Sequence, residues 1–411
     1  MLNREISVLL LSLNYAPEQT GIAPYSTELA EGLASDGFQV RALTGYPHYP
    51  QWVPLRGYGG FVINEILNRV SVTRLRHYIP KKPNFLSRLH MELSFGVRTV
   101  LCRWGHPDAV LSVSPALFAS GIAVSRARLQ GVPVGIWIQD IYSRGLEETK
   151  GGSSVVSKFM KAFEGLILRS ANEVVVIHER FRNYLVQELR VPEHKVRVIR
   201  NWSHVEVSNS IDRMSARRRL GWADDEVVAL HAGNMGVKQD LGNVIEAARA
   251  AMSNGNKVRF VLLGDGNRRA SLEIQAEGVT NLDFLAPLPE REFVSALQAA
   301  DVLLVNELPG VREMSVPSKL TSYFATGQPI VAATEPDSAT ADEIISSGSG
   351  IHIISGNPSL LLETVESLAA DPAARRKFGK AGVPYAQTVL SRDIALSKFS
   401  EWVTLVANTN S

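Results

Sequence analysis

The chain contains a single cysteine, Cys102, among 411 residues. One thiol excludes intrachain disulfides and cysteine-based metal sites, and it fits a cytoplasmic protein best. No apolar run reaches the roughly 18 residues that a membrane-spanning helix requires, and residues 1–6 lack the layout of a signal peptide. The nine histidines include no H-E-x-x-H or similar metal pair. The sequence therefore predicts no structural or catalytic metal site.

Charge is unevenly distributed along the chain, although the net charge is only +2. Residues 1–200 carry 24 Lys+Arg and 16 Asp+Glu, a balance of +8, and the remainder carries 19 and 25, a balance of −6. A basic half suggests an anionic partner, which is nucleic acid, acidic lipid or a phosphate-bearing acceptor. The alternative is a pair of solvated surfaces of opposite sign that attract each other.

The apolar pattern at the start of the chain predicts an α/β sheet. Residues 6–13 are nearly all apolar, as expected for a strand that is buried on both faces. A loop at 14–21, helical spacing at 25–34 and a further strand at 40–44 follow. This order opens a doubly wound sheet. No G-x-G-x-x-G follows the first strand, which argues against an ordinary dinucleotide-dependent dehydrogenase.

The same order returns in the second half, with a strand at 227–232, a helix at 241–252 and a strand at 259–263. Because the chain is also too long for one ordinary domain, we predict two Rossmann-like domains that face a cleft.

The predicted boundaries follow from these patterns. The first domain comprises residues 1–200 plus 385–411, and the second comprises residues 201–384. The last amphipathic segment, 391–406, is expected to be a helix that crosses back to the first domain.

Two lysines in the second domain give the strongest functional signal. Lys238 follows a strand and a glycine-bearing turn and precedes a helix. Lys319 lies at a predicted helix start, after Pro317 and Ser318, and Ser318 is expected to cap that helix. A cation combined with a helix N-terminus holds a diphosphate well. The alternative for each lysine is an ordinary solvated side chain.

Turns at other predicted strand ends are candidate ligand contacts. Gly21 lacks a Cβ in the first loop, where backbone approaches a ligand. Gly264, Asp265 and Gly266 follow a strand of the second domain, where the glycines let a nucleotide approach. Leu288 lies in a proline-bearing turn that offers backbone groups to a base edge. Each segment also has a purely steric interpretation as an ordinary turn.

The first domain contains candidate acceptor residues. Asp140 follows a predicted strand, where its carboxylate either orients a sugar or takes an acceptor proton, or simply caps a helix. An aromatic loop suits contact with sugar or lipid; it contains Tyr46, His48, Tyr49 and Trp52.

A mixed basic and apolar stretch follows, with Lys81, Lys82 and Arg88. It suits an anionic membrane surface. The alternative is a helix that packs on the first domain with its basic side in water.

Taken together, these segments resemble the bacterial glycosyltransferases of family 4, and within them the subgroup of colanic-acid fucosyltransferases and fucosamine transferases. The resemblance spans nearly the whole chain, from residues 14–25 to residues 325–337. It implies the GT-B fold, retention of anomeric configuration, and a nucleotide-sugar donor bound mainly by the second domain.

The resemblance also implies roles for single residues. The donor set is Gly21, Gly233, Asn234, Lys238, Gln239, Gly264, Asp265, Gly266, Leu288, Pro317, Ser318, Lys319, Leu320 and Ser322. The catalytic set is Asp140, Lys238 and Glu313. The residues themselves, and not the resemblance, give the acceptor and membrane set, which is Tyr46, His48, Tyr49, Trp52, Lys81, Lys82 and Arg88.

The chain departs from the family pattern at three positions. The usual phosphate-binding Arg is Asn234, and the usual ribose-binding Glu is Ser322. The first Glu of that familiar pair aligns with Met314, next to Glu313. Lys319 is expected to replace the missing Arg.

We therefore predict a glycosyltransferase that moves a sugar from a GDP- or UDP-linked donor to a lipid-linked or oligosaccharide acceptor in cell-surface polysaccharide synthesis. It is expected to need no cofactor and no metal, because lysines and helix N-termini stabilise the leaving diphosphate. We expect it in the cytoplasm, peripheral at the anionic inner face of the plasma membrane, with no nucleic acid partner. Two alternatives stay open: a sugar-nucleotide epimerase on the same fold, and a sugar-nucleotide-binding protein without catalytic activity.

Overall fold

The computed structural model describes residues 5–19, 21–114, 116–144, 155–203, 211–312 and 318–410. The chain divides into two compact units, one of residues 1–201 with 393–411 and the other of residues 202–392. The division differs from the predicted one mainly at residues 385–392. These residues continue a helix, Pro372–Thr388, and Ala386 and Leu390 are buried in the core of the second unit.

The first unit is built on a mixed sheet. Its described strands are β1 (Ser7–Ser12), β2 (Gln39–Gly45), β3 (Val62–Leu67), β4 (Val70–Leu75), β5 (Ala109–Val113), β6 (Val134–Ile138), β7 (Glu173–Val176) and β8 (Val196–Val198). They pair in the order β3-β4-β2-β1-β5-β6-β7-β8. Leu10 of the central strand β1 lies beside Ala42 of β2 and Leu111 of β5, both in parallel register. These strands are buried, as their apolar runs predict.

The hairpin β3–β4 is antiparallel and was not predicted. Its edge strand β3 alternates exposed and partly buried residues, so it has no apolar run to reveal it. Asn68 and Arg69 form the turn with φ angles of 45° and 70°. Two consecutive positive φ values are typical of the tight turns that match the twist of a hairpin.

The helices described in the first unit are α1 (Ala23–Ser35), α2 (Phe85–Leu101), α3 (Leu117–Leu129), α4 (Val155–Ser170) and α5 (Glu179–Gln187). A short 3₁₀ turn, Glu193–Lys195, precedes β8. Helix α2 begins with a capping box, because the Asn84 side chain accepts the Ser87 N–H and the Ser87 hydroxyl accepts the Asn84 N–H.

The second unit is built on a parallel sheet. Its helices and strands in the described residues are α6 (Arg213–Leu220), β9 (Val227–Ala232), α7 (Leu241–Ser253), β10 (Val258–Leu263), α8 (Arg269–Gln275), β11 (Leu282–Leu285), α9 (Glu290–Ala299), β12 (Val302–Asn306), α10 (Lys319–Ala325), β13 (Ile330–Thr334), α11 (Ala339–Ser347), β14 (Gly350–Ile354), α12 (Pro358–Ala370) and α13 (Pro372–Thr388). The strand order is β11-β10-β9-β12-β13-β14, which is the Rossmann order 3-2-1-4-5-6.

Both faces of the second sheet are buried. Phe260 and Leu262 of β10 belong to one hydrophobic cluster, and Val261 and Leu263 belong to the cluster on the other face. This alternation follows from the two-residue period of a strand, and helices cover both faces.

The last helix, α14 (Arg392–Ala407), packs on the first sheet, as the sequence predicts. The Phe399 ring lies 4.7 Å from that of Trp137 in β6. Gly135 leaves room for the Trp402 indole, since a Cβ at Gly135 would lie 2.6 Å from it. A short 3₁₀ turn, Asn408–Asn410, follows.

Candidate functional site

The second sheet reverses its strand order between β9 and β12, and doubly wound sheets bind ligands outside the carboxyl ends of such strands. The turn that begins at Gly233 follows β9, and Glu307 follows β12. Helix α10 begins at Lys319. The carboxyl edge at this reversal is the candidate donor site.

Lys319 lies over the turn after β9. Its Nζ is 3.1 Å from Nε2 of His231, and it would lie 3.6 Å from a Cβ atom on Gly233. Burial lowers the pKa of Lys319 to about 7, and Glu307 acts in the opposite direction. Lys319 is therefore held inside the candidate site and is not an ordinary surface lysine.

Lys238 lies in a short 3₁₀ turn, Val237–Gln239, that leads into α7. The Gly236 N–H donates to Oε1 of Gln239 at 3.1 Å, which closes the turn. The turn is fastened to the end of β12, because the Leu308 N–H donates to the Lys238 carbonyl at 2.7 Å. Within the described chain, the partly buried Lys238 side chain has no hydrogen bond or ion pair. Its ammonium is available to an anion.

Asn306 reinforces this arrangement. Its Nδ2 donates to the carbonyls of Gln239 and Asp240, at 3.0 and 2.9 Å, and its Oδ1 accepts from Asn243 at 2.8 Å. A buried amide at the end of an apolar strand fixes the Lys238 turn against the sheet. Asn306 was not predicted as a site residue, although a polar residue at the end of an apolar strand is a feature that the sequence shows.

The glycines after β10 have a mainly steric role. A Cβ on Gly264, whose φ is 141°, would lie 2.0 Å from the carbonyl oxygen of Gly233. A Cβ on Gly266 would lie 2.4 Å from the carbonyl oxygen of Met235. The two turns pack backbone to backbone, which explains why both positions are glycine. That these glycines also let a nucleotide approach stays a prediction. Asp265 is exposed, and its side chain accepts the N–H of Gly266.

The start of α10 differs from its prediction in one detail. The Ser318 side chain does not cap the helix, because Ser318 itself has a helical φ and ψ. Its carbonyl instead accepts the Thr321 hydroxyl at 2.7 Å. The Leu320 side chain is buried in the core. Pro317 and the predicted catalytic Glu313 lie outside the described residues.

Three other residues of the predicted donor set belong to the second unit. Asn234 is exposed, and its Nδ2 lies 3.5 Å from Oε1 of Gln239. Leu288 packs partly against the core, and Ser322 is partly buried in α10. Their roles in donor binding stay predictions.

The first sheet reverses its order between β1 and β5, and the loop after β1 carries an acid that the prediction missed. Glu18 is buried, and its Oε1 accepts the N–H groups of His48 and Tyr49 at 2.6 and 2.8 Å. Its Oε2 accepts from Asn14 at 2.8 Å. Buried carboxylates need such donors. Glu18 thereby ties the first loop to the aromatic loop after β2.

Gly21 lies beneath that aromatic loop. Its φ is 67°, and a Cβ there would lie 3.4 Å from the Tyr49 ring. Two members of the predicted acceptor set are buried and help to build the loop. The Tyr46 hydroxyl donates to the Gly59 carbonyl, and His48 Nδ1 lies 2.8 Å from the Tyr46 carbonyl. The chain folds back around Glu18, so these two side chains face inward.

Tyr49, Trp52, Arg88 and Asp140 come together at this edge. The Tyr49 and Trp52 rings meet edge to face at 5.8 Å, and the Arg88 guanidinium lies 5.2 Å from the Trp52 ring centre. Burial raises the pKa of the Tyr49 hydroxyl, Arg88 lowers it and Asp140 raises it. Arg88 was predicted as a membrane contact, and the structure places it beside these aromatic rings. Lys81 and Lys82 are exposed.

Trp52 has a φ of 58°, which a bulky residue rarely adopts. Such outliers persist only where the surroundings hold them, and they often occur at functional sites.

Two buried acids lie behind this cluster. Glu92 of α2 accepts the Phe118 N–H at 3.1 Å, and burial raises the pKa of Glu92 to about 8. Glu164 accepts the N–H groups of Tyr142 and Ser143, each at 2.9 Å, which fixes the turn after Asp140. Neither acid was predicted as functional, because nothing in a helix pattern shows that a glutamate faces inward.

The described residues contain no group of three or more His, Cys, Asp or Glu side chains that could hold a metal ion. Among the same residues, no helix is long and apolar enough to cross a membrane.

Comparison with known proteins decides the family. Residues 20–202 match the glycosyl transferase 4-like domain, and residues 212–383 match the glycosyl transferases group 1 domain. The putative colanic acid biosynthesis glycosyl transferase WcaI of Escherichia coli (strain K12) is 32% identical over 80% of this chain and 84% of its own length. The chain belongs to the group 1 glycosyltransferases.

A second relative of this glycosyltransferase matches a smaller part. The GDP-mannose-dependent α-(1-6)-phosphatidylinositol dimannoside mannosyltransferase of Mycobacterium tuberculosis is 30% identical over 40% of this chain and 42% of its own.

Solved structures show the same fold. Sucrose-phosphate synthase from Thermosynechococcus elongatus has a TM-score of 0.75 at 16% identity and covers 98% of this chain and 99% of its own. HepE from Anabaena, solved with UDP-glucose, has a TM-score of 0.71 at 15% identity and covers 98% and 100%. The predicted GT-B fold and glycosyltransferase family are confirmed.

Proposed function

We propose that this glycosyltransferase moves a sugar from a nucleoside-diphosphate sugar to a lipid-linked glycan acceptor in cell-surface polysaccharide synthesis, with retention of configuration. One observation carries the donor assignment. Lys238 lies in the turn after β9 and Lys319 at the start of α10, both at the same strand reversal of a Rossmann sheet, where doubly wound folds bind nucleotides. The names of WcaI and of the HepE complex support polysaccharide synthesis and a nucleotide-sugar donor.

The chemistry needs cations where the leaving group forms. Negative charge develops on the diphosphate as the glycosidic bond breaks, and preorganised cations stabilise that charge. The Lys238 ammonium has no hydrogen bond or ion pair among the described residues, and Lys319 is held over Gly233. The N-terminus of α7, which follows the Lys238 turn, adds partial positive charge. We therefore propose that the reaction needs no metal, and that EDTA leaves its rate unchanged.

The acceptor is assigned to the first unit. The partly buried rings of Tyr49 and Trp52 offer apolar faces, and Arg88 and Asp140 offer one charge of each sign beside them. Flat aromatic surfaces with polar neighbours suit a sugar ring, and a guanidinium suits a phosphate. A sugar-phosphate acceptor fits both features. Retention of configuration rests on the family resemblance.

Membrane association is proposed through α2. Its exposed apolar side chains are Leu86, Leu93, Val97 and Leu101, which recur on one side of the helix. Residues 76–106 carry six Lys+Arg and one acid, the buried Glu92. An apolar stripe with basic neighbours is suited to lie on an anionic bilayer. The mycobacterial relative, whose name specifies a phosphatidylinositol-based substrate, supports a lipid-linked acceptor.

Incubation with nucleotide sugars tests the function. Purified protein is mixed separately with UDP-, GDP- and dTDP-linked sugars, with and without lipid extract from a polysaccharide-producing bacterium. A transferase releases nucleoside diphosphate slowly alone and faster with acceptor. An epimerase converts one nucleotide sugar to another without acceptor, and an inactive binding protein does neither; either result would contradict the proposal.

Lys238→Ala is the matched variant for this assay, and Lys257→Ala is its control. Lys257 is an exposed lysine of the same unit that pairs with Asp225. Nucleotide release should fall in the first variant and stay unchanged in the second.

A further inference from the structure

The strand β9 contains one polar residue at its buried end. His231 is completely buried between Leu230 and Ala232, in a strand that is otherwise apolar. Its Nε2 lies 3.1 Å and its Nδ1 lies 3.4 Å from Nζ of Lys319. A histidine buried at such a position needs polar partners, and Lys319 is one of them.

Among the described residues, Glu307 and Tyr323 are ionisable groups near this pair. Glu307, after β12, accepts the Thr340 hydroxyl of α11 at 2.8 Å and is the acid that acts on Lys319. From α10, the Tyr323 hydroxyl accepts the Ala232 N–H at 2.8 Å. Burial, and then Lys319, lower the pKa of His231 well below its usual value. His231 is therefore neutral at physiological pH.

Lys319 is poorly placed to carry its charge in the absence of a ligand. Burial lowers the pKa of its amine to about 7, so near neutral pH the amine is neutral in part of the molecules. A neutral amine can accept a hydrogen bond from a neutral imidazole, and an ammonium can donate to one. Each form can therefore form a hydrogen bond with His231, whose Nε2 lies 3.1 Å from Nζ.

An anion at Gly233 would change this balance. A phosphate within hydrogen-bond reach of Nζ favours the ammonium, because opposite charges at short distance stabilise the charged form. The proton is transferred to Nζ from hydronium or a buffer acid, so an N–H bond forms, the donor's bond to hydrogen breaks, and the conjugate base stays in solution. The affinity for the anion consequently depends on how easily Lys319 is protonated.

We propose that the protein takes up one proton at Lys319 when a nucleoside diphosphate binds. His231 is the positioning residue in this step, because it holds the Lys319 amine over Gly233, where the amine accepts the proton. This inference rests on the proposed donor site. It adds to that site a residue from the buried strand, and it predicts that donor affinity falls as the pH rises.

The test is calorimetric titration of the full-length protein with UDP and GDP in two buffers that differ in ionisation enthalpy. The proton uptake should be partial at pH 7 and larger at pH 8, because the free-state pKa of about 7 leaves more of the amine neutral at the higher pH. The terminal phosphate ionises with a pKa of about 6, so it contributes little at pH 8. Affinity should fall up to about tenfold between pH 8 and pH 9.

Variants separate the two roles. Lys319→Arg keeps a cation that does not titrate, so it should bind UDP or GDP with no proton uptake. Lys319→Met should bind at least tenfold more weakly, also without uptake. His231→Phe should weaken binding as much as Lys319→Met, and His231→Gln, which keeps hydrogen-bonding groups, should restore most of the affinity. Lys238→Ala should weaken binding and retain the uptake.

The outcomes distinguish this inference from the proposed function. Wild-type protein that binds UDP or GDP tightly at pH 8 with no proton uptake overturns the inference and leaves the donor site intact. Uptake that persists in Lys319→Arg assigns the proton to another group and also overturns it. Failure of every nucleoside diphosphate to bind at any pH overturns both. Circular dichroism and the melting temperature verify that each variant is folded.

Discussion

A Cβ atom on Gly264 would lie 2.0 Å from the carbonyl oxygen of Gly233. The turns after β9 and β10 therefore pack backbone against backbone, and the Gly233 N–H also donates to the Leu263 carbonyl at 2.8 Å. Because Lys319 lies over Gly233, this contact fixes the floor of the candidate donor site.

Gly264→Ala should lower the free energy of unfolding by about 2 kcal/mol or more, since it adds a clash to a φ of 141° that favours glycine. Chemical denaturation measures the change. Gly59→Ala is the control, because a Cβ there meets nothing within 4 Å and Gly59 has no positive φ. Equal stability of the two variants would show that the turns can move apart.

Lys238→Ala should weaken nucleoside diphosphate binding by about 1.5–3 kcal/mol, the range for hydrogen bonds to charged groups. Lys319→Ala should reduce the affinity for UDP or GDP more than for uridine or guanosine, because its amine serves the phosphates. Titration calorimetry measures both variants beside Lys257→Ala. Loss of nucleoside and diphosphate affinity to the same extent would assign Lys319 a structural role.

Glu18→Ala should destabilise the first unit by about 1–3 kcal/mol, because it leaves the N–H groups of His48 and Tyr49 without their acceptor. Glu18→Gln keeps an oxygen for both groups and should recover most of that loss. Denaturation measures the stability, and UDP or GDP binding to the second unit should be unchanged in both variants. A glutamine variant as unstable as the alanine variant would mean that the charge matters more than the hydrogen bonds.

Glu92 should make the protein less stable as the pH rises. Its pKa is about 8 in the folded protein and about 4.5 when unfolded, so the folded state binds more protons between these values. Its contribution is complete below pH 4.5 and is lost as the pH passes 8. Glu92→Gln keeps an acceptor for the Phe118 N–H and should be more stable than the wild type at pH 9, with little difference near pH 5. Melting temperatures across this range test it, and a constant difference at all pH values would contradict it.

Membrane binding through α2 should have a salt-dependent and a salt-independent part. Lys81→Ser with Lys82→Ser should weaken binding to vesicles rich in acidic lipid by about 2 kcal/mol at low salt, at about 1 kcal/mol for each base. Leu93→Gln with Val97→Gln should weaken binding at high salt as well, since apolar burial is not screened. Sedimentation with vesicles measures both pairs. If the wild-type protein fails to sediment at low ionic strength, the basic half serves another partner.

The sequence by itself determined the architecture. Apolar runs such as residues 6–13 and 227–232 mark strands buried on both faces, and the helical spacing between strands forces parallel pairing. Lys238 and the glycine-bearing turn before it could also be predicted, because both are local features of the sequence. The edge strand β3 escaped prediction, since a half-exposed strand has no continuous apolar signal.

Tertiary structure alone decided which polar side chains act together. Glu18 meets the Tyr49 N–H across 31 positions, and His231 meets Lys319 across 88. Contacts at this sequence separation produce no periodic pattern in the sequence. The contact of Glu18 with the aromatic loop and the contact of His231 with Lys319 therefore become visible only in the folded structure. Gly264 is a similar case, because the carbonyl of a neighbouring turn leaves no room for a Cβ there, in addition to its own φ of 141°. Local sequence determines where helices and strands form, whereas burial and strand register determine which polar side chains contact each other.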